Sequence, residues 1–133
     1  LYDHVLFTDM DWEVYPPGFG RILRWIKTRY DNPPVVVTEN GASYDDPIVD
    51  GTVVDSRRRE YLREYITELR TAVASGQDVR GYFVWSLLDN FEWHYGYAQR
   101  FGLVHVDYTT LARTPKESYY FYRDVVRSNG TSL

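Results

Sequence analysis

Residues 35–41 read Val35-Val36-Val37-Thr38-Glu39-Asn40-Gly41. β-Branched residues run unbroken from Val35 to Thr38 and lead straight into a carboxylate, an amide and a glycine. So short an apolar run predicts a strand buried on both faces, as in a parallel sheet. Gly41 is expected to free the chain to turn. Glu39 then stands at the carboxyl end of a buried parallel strand, the end where ligands and chemistry collect in α/β folds. Taken alone, a glutamate after a strand is as readily a solvated loop residue, so the rest of the chain has to decide.

Upstream, Pro16-Pro17 predicts a helix start. Phe19, Ile22, Leu23, Ile26 and Tyr30 form one apolar stripe, and Asn32-Pro33-Pro34 stops the helix before the strand. Leu1 to Phe7 is short, apolar and irregular, and Thr8 to Pro17 reads as a structured loop. Downstream, Ile48-Val49 and Val53-Val54 flank Asp50-Gly51, a favoured hairpin turn. Asp55 or Ser56 is placed to cap a second helix. Its stripe is Leu62, Tyr65, Ile66, Leu69 and Val73, and Gly76 ends it. Gly81 to Leu88 is the second strong strand. A polar and aromatic loop runs from Asp89 to Arg100, and Phe101 to Val106 predicts a short excursion strand. Thr114-Pro115-Lys116-Glu117 predicts a third helix start, with a threonine cap, proline first and glutamate third. Tyr119, Tyr122, Val125 and Val126 carry its stripe, and Gly130 is placed to end it.

Alternating helix and strand predicts an α/β fold with a parallel sheet. Two strands buried on both faces and three one-sided helices do not close a core. A complete (β/α)₈ barrel takes roughly 250 residues, and this chain has 133. The expectation is one partial domain over residues 1–133. Its missing strands would come from another polypeptide or from residues outside this sequence.

Composition narrows the function classes. Aromatic residues make up 17% of the chain, with 13 tyrosines and 4 tryptophans. Flat rings with polar tips suit sugars, which show C–H faces and hydroxyl edges, and they suit an ordinary core as well. The formal net charge of -4 argues against nucleic acid. The one basic cluster, Arg57-Arg58-Arg59, is expected on a solvated face of a first helical turn. Absence of cysteine excludes disulfides and thiolate metal sites. No apolar run is long enough to span a membrane and no signal peptide stands out, so a cytoplasmic location is expected.

Two further stretches are more specific: Trp85-Ser86-Leu87-Leu88-Asp89-Asn90-Phe91-Glu92-Trp93 and Arg100-Phe101-Gly102-Leu103-Val104-His105-Val106-Asp107. With Thr38-Glu39-Asn40-Gly41 they resemble glycoside hydrolase family 1, the family of β-glucosidases, β-galactosidases and relatives. Thr8-Asp9-Met10-Asp11-Trp12-Glu13-Val14-Tyr15-Pro16 and Arg113-Thr114-Pro115-Lys116 match it too. The resemblance covers Thr8 to Gly130 and corresponds to the last third or so of a family member.

The resemblance implies a (β/α)₈ TIM barrel of which this chain forms about strands 7–8 and their flanking helices, incomplete on its own. It implies hydrolysis of terminal, non-phosphorylated β-glycosides with retention, through a covalent glycosyl-enzyme intermediate and without cofactor or metal. Glu39 matches the nucleophile. The family's acid/base glutamate lies in an Asn-Glu-Pro motif, which this chain lacks. The implied partner is therefore a complementary amino-terminal barrel chain carrying that glutamate.

On the residues alone, Glu39 could pair with Glu92, since both follow strand ends. The resemblance instead matches Glu92 to the acceptor of the sugar's O4 and O6 hydroxyls, and Trp93 to an indole N–H donor. It matches Trp85 to the platform under the sugar, Phe101 to the pocket wall near the hydroxymethyl group, and Trp12 to a ring beside the leaving group. Asn40 braces the site. Asp89 and Asn90 are read as turn-forming and structural, and His94 and His105 as ordinary loop and strand residues. Asp11 stands where many members have glycine. Members acting on 6-phosphorylated sugars replace the glutamate by serine and add lysine and tyrosine seven and nine residues on. Glu92, Gln99 and Phe101 occupy those positions here, which implies neutral sugars. The competing reading is a sugar-binding or structural piece without an acid/base residue.

Overall fold

The computed structural model describes residues 5–133; residues 1–4, the start of the segment read as irregular, lie outside the described residues. The remainder of that segment is ordered. β1 (Leu6–Phe7) pairs antiparallel with β2 (Glu13–Val14), so the expected irregular run and loop form a small hairpin. Pro16 and Pro17 then open α1 (Pro16–Tyr30), where the missing proline N–H groups cost nothing. α1 closes on Asp31 and Asn32, both left-handed.

β3 (Val35–Asn40) follows and places Glu39 near its carboxyl end. The Asp50-Gly51 turn joins β4 (Ile48–Val49) to β5 (Thr52–Val53), with positive φ at both turn residues as a tight hairpin requires. α2 (Ser56–Ala74) crosses over to β6 (Val79–Val84), which pairs parallel with β3. The second strand thus ends at Val84, four residues short of the expected Leu88. The chain returns as β7 (Val104–Val106) paired antiparallel with β8 (Arg113–Pro115), and α3 (Glu117–Arg127) closes the order.

Tyr61, Leu62, Tyr65 and Ile66 of α2 form the centre of the core, against Ala42, Tyr44, Leu103 and Val125. The sheet partners tell a different story. Val36 and Phe83 were expected to be buried, yet they remain 48% and 58% exposed. Two parallel strands with helices on one side form an open sector, with no closed barrel to cover the other side. Among the described residues no helix is long and apolar enough to cross a membrane.

Three local expectations are corrected by long-range contacts. The third helix starts at Glu117, because Thr114 and Pro115 are held in the β7–β8 ladder. Its exposed amides are met from elsewhere: the Asp55 carboxylate accepts from the Ser118 N–H at 2.8 Å and from its hydroxyl. Asp55 is therefore the residue before α2, yet its side chain makes no capping bond in that helix. Arg58 is not solvated. It is 1% exposed and donates to Asp55, Asp46 and the carbonyls of Tyr44 and Arg100. A guanidinium with its five donors suits such a buried junction.

Lys116, also buried, donates to Asp89 at 3.2 Å. Burial pushes its ammonium down to about 8, with the nearby Arg58 charge adding to that and Asp89 opposing it. An unfolded lysine titrates near ~10.4. Between those values the unfolded chain binds more protons than the folded one, so stability rises with pH. Unfolding of the completed barrel is expected to show a gain on the order of 2 kcal/mol from pH 8 to ~10. Lys116→Met is expected to flatten that slope. Equal slopes in the two proteins would place the titration on another group.

Candidate active site

The carboxyl ends of β3 and β6 open into a cleft of about 430 Å³. All seven residues singled out from the sequence line it: Glu39 and Asn40 from β3, Trp85 after β6, Glu92 and Trp93 from the following loop, Phe101 before β7, and Trp12 from the first hairpin. Separations of up to 89 positions along the chain thus converge on one concavity of carboxylates and rings. Among the described residues no group of three or more histidine, aspartate or glutamate side chains is arranged to hold a metal.

Asn40 is fixed at both ends of its amide. Its Oδ1 accepts from the Tyr82 hydroxyl at 2.7 Å, and its Nδ2 donates to the Tyr61 hydroxyl at 3.3 Å. Burial pushes both phenols up, with Tyr65 adding to the shift on Tyr61. Both therefore stay protonated across the physiological range, and the Tyr82 donor is always present. The Asn40 carbonyl accepts from the Trp85 N–H at 3.0 Å, which ties the two strand ends together.

This tie accounts for Gly41. A Cβ there would overlap the Trp85 carbonyl oxygen. Its φ lies outside the left-handed region, so what Gly41 supplies is space for the second strand's backbone, not the turning freedom expected of it.

The Glu92 loop is pinned by its own backbone. The Glu92 N–H donates to the Gly96 carbonyl at 2.6 Å, and the Glu92 carbonyl accepts from Tyr95 at 2.8 Å. Trp93, at φ 44, adopts a left-handed conformation unusual for a bulky residue and is 79% exposed within this chain. Trp12 lies with its ring centroid 6.0 Å from that of Phe101. Its loop is held by Thr8, whose hydroxyl accepts from the Met10 and Trp12 amides. Asp11 has φ 57, a conformation that glycine adopts freely and aspartate tolerates.

Asp89 and Asn90 make structural bonds, as read: Asn90 donates to the Ser86 hydroxyl and the Leu88 carbonyl. Tyr61 also lines the cleft and was missed. The sequence signal was its i, i+4 spacing from Tyr65 on one helix face, and in the structure the two rings stack with centroids 4.2 Å apart.

Comparison with known proteins bears on the chain as a whole. The pattern of glycosyl hydrolase family 1 matches residues 2–131. This chain belongs to glycosyl hydrolase family 1. The match starts before Thr8, so the first strand falls within the family pattern too. Beta-glucosidase A of Thermotoga maritima is 49% identical over 124 residues, which are 92% of this chain and 28% of that enzyme. Beta-glucosidase A of Acetivibrio thermocellus is 44% identical over 124 residues, with the same coverage of 92% and 28%. The structure of the Thermotoga maritima β-glucosidase in complex with glucoimidazole superimposes with a TM-score of 0.93 at 46% identity. It covers 98% of this chain and 30% of that one. The chain spans less than a third of its relatives' length. It is the carboxyl-terminal part of a family 1 (β/α)₈ barrel and is incomplete on its own.

Proposed function

We propose that this chain is the nucleophile-bearing part of a retaining β-glycosidase that hydrolyses terminal, non-phosphorylated β-D-glycosides once joined to the amino-terminal part of the barrel. The observation that carries the reading is the convergence of Glu39, Glu92, Trp85 and Trp93 on one cleft, in a chain whose relatives are β-glucosidases.

The Glu39 carboxylate attacks the anomeric carbon on the face opposite the leaving oxygen. A second carboxyl, about 5–5.5 Å away in retaining enzymes, protonates that oxygen. It then deprotonates a water, which displaces Glu39 from the glycosyl-enzyme. Two inversions restore the β configuration. The second carboxyl belongs to the amino-terminal part of the barrel. Glu92 instead accepts hydrogen bonds from the O4 and O6 hydroxyls, Trp93 donates from its indole, and Trp85 lies under the ring. Phe101 walls the hydroxymethyl side and Trp12 flanks the leaving group. The Tyr82–Asn40–Tyr61 contacts hold the end of β3 from which Glu39 projects.

The test is hydrolysis of an aryl β-glucoside by the completed barrel. A sugar-binding or structural piece would retain ligand without turnover. The same assay settles the charge of the sugar. Glu92 repels a 6-phosphate, and Gln99, which accepts from the Ser43 hydroxyl at 2.6 Å, offers no cation. Like charges in contact cost several kcal/mol, so kcat/KM for the 6-phosphoglucoside is expected about 100-fold below that for the glucoside. A preference for the phosphosugar would overturn the assignment of Glu92.

A further inference from the structure

Residues 90–100 carry Glu92 and Trp93 into the cleft, yet apart from one 3-10 turn at Trp93–Tyr95 they contain no regular structure. Backbone bonds between Glu92 and Gly96 fix the turn itself, and the group best placed to fix the two ends of the loop is Asp89, directly before it. The Asp89 side chain is fully buried. Its Oδ1 accepts from the Gly102 N–H at 2.8 Å and from Lys116 Nζ at 3.2 Å. Its Oδ2 accepts from the Val106 N–H at 3.3 Å and from Arg100 Nη1 at 3.3 Å. One carboxylate therefore gathers donors from the far end of the loop, from the strand beyond it and from the residue before α3.

The clasp has little slack. A Cβ on Gly102 would overlap the Asp89 backbone nitrogen. The Asp89 N–H donates to the Val104 carbonyl at 3.1 Å, and Arg100 also donates to the Val106 carbonyl at 2.9 Å. Phe101 lies between Arg100 and Gly102, the two loop-end residues bonded to the carboxylate. Glu92 and Trp93 lie three and four residues beyond Asp89 on the other side. A shift of the clasp is therefore delivered to the residues that face the sugar.

We propose that Asp89 is a positioning residue whose buried carboxylate sets the places of Glu92, Trp93 and Phe101, and through them the preference for a sugar ring bearing a hydroxymethyl group. This rests on the β-glycosidase reading of the cleft. Asn in place of Asp89 removes the charge that holds Lys116 and Arg100. It also turns one acceptor into an NH₂ facing donors. Leaving a buried cation without its partner is strongly destabilising, and the loop bounded by Asp89 and Arg100 is the segment that takes up the change.

The experiment compares the completed barrel with its Asp89→Asn variant on an aryl β-glucoside and on an aryl β-xyloside, which lacks the hydroxymethyl carbon. Asp89→Asn is expected to lower kcat/KM for the glucoside about tenfold more than for the xyloside, chiefly through KM. Equal losses on the two substrates, or a lowered Tm with an unchanged ratio, overturn the proposal. If Asp89→Asn does not fold, the double variant Asp89→Asn with Lys116→Met removes the more deeply buried of the two orphaned cations and is expected to show the same change of ratio. Hydrogen exchange provides a readout without turnover. Amides in 90–104 are expected to exchange faster in the variant, while those of α2 and β6 keep their wild-type rates. Unchanged or uniformly faster exchange overturns the positioning role. An inactive wild-type barrel sinks the β-glycosidase reading, and in that case the exchange pattern alone decides the role of Asp89.

Discussion

Glu39→Gln is expected to lower turnover of an aryl β-glucoside by the completed barrel on the order of 10⁴-fold or more. Glutamine keeps the size of the side chain but replaces the carboxylate oxygen that serves as nucleophile in the proposed mechanism. The β3–β6 pairing runs through the backbone, and Asn40, not Glu39, makes the side-chain bonds to Tyr61 and Tyr82. Folding is therefore expected to survive the substitution, so a fall in rate reports chemistry. Glu39→Gly offers a sharper check. It opens space where the carboxylate stood, which azide or formate can enter. An external anion there attacks on the same face as Glu39, so azide is expected to restore cleavage of an activated substrate and to give an α-glycosyl azide. Robust activity in the glutamine variant would remove Glu39 from the nucleophile's role. A β-configured azide would place the attacking group on the opposite face.

How much of this was legible in the sequence follows from the range of each interaction. Strand β3, helices α1 and α2 and the Asp50-Gly51 hairpin are written in local periodicity and turn chemistry, and each formed where expected. The cleft residues were legible as motifs, each at a strand end or in the loop after it. What local reading lost was set by partners far along the chain. Asp55 looks like a cap for its own helix, and instead meets Ser118, 63 residues on. Arg58 looks like surface charge, and instead joins the segment after Glu39 to the loop carrying Glu92 through the carbonyls of Tyr44 and Arg100. Thr114-Pro115 has the composition of a helix start, and pairing with β7 kept it extended. Gly41 looks like a turn residue, and its need for space arises only once Trp85 is packed beside it. In each case a tertiary contact overrode a sound local preference.

The second large effect is expected in assembly. β3 and β6 pair only with each other among the described residues, which leaves each with an unpaired edge at the centre of what should be a barrel. A two-stranded sheet is marginal in water, and exposed hydrophobic edges invite aggregation. Val36 and Phe83, on the sheet itself, are 48% and 58% exposed, and the other strands of a barrel would cover them. The 133-residue chain alone is therefore expected to unfold in urea without a cooperative transition and to show no turnover. Mixed or fused with the amino-terminal barrel part carrying Asn-Glu-Pro, it is expected to gain one cooperative transition and measurable hydrolysis. With the glutamate of that motif changed to glutamine, the transition should remain while hydrolysis of poorly activated glycosides is lost. These two changes separate covering the sheet from completing the carboxyl pair. A stable, monomeric, cooperatively folded chain on its own would contradict the barrel-sector reading. Hydrolysis by the chain alone would mean that a second carboxylate within it, with Glu92 the first to test, completes the pair with Glu39.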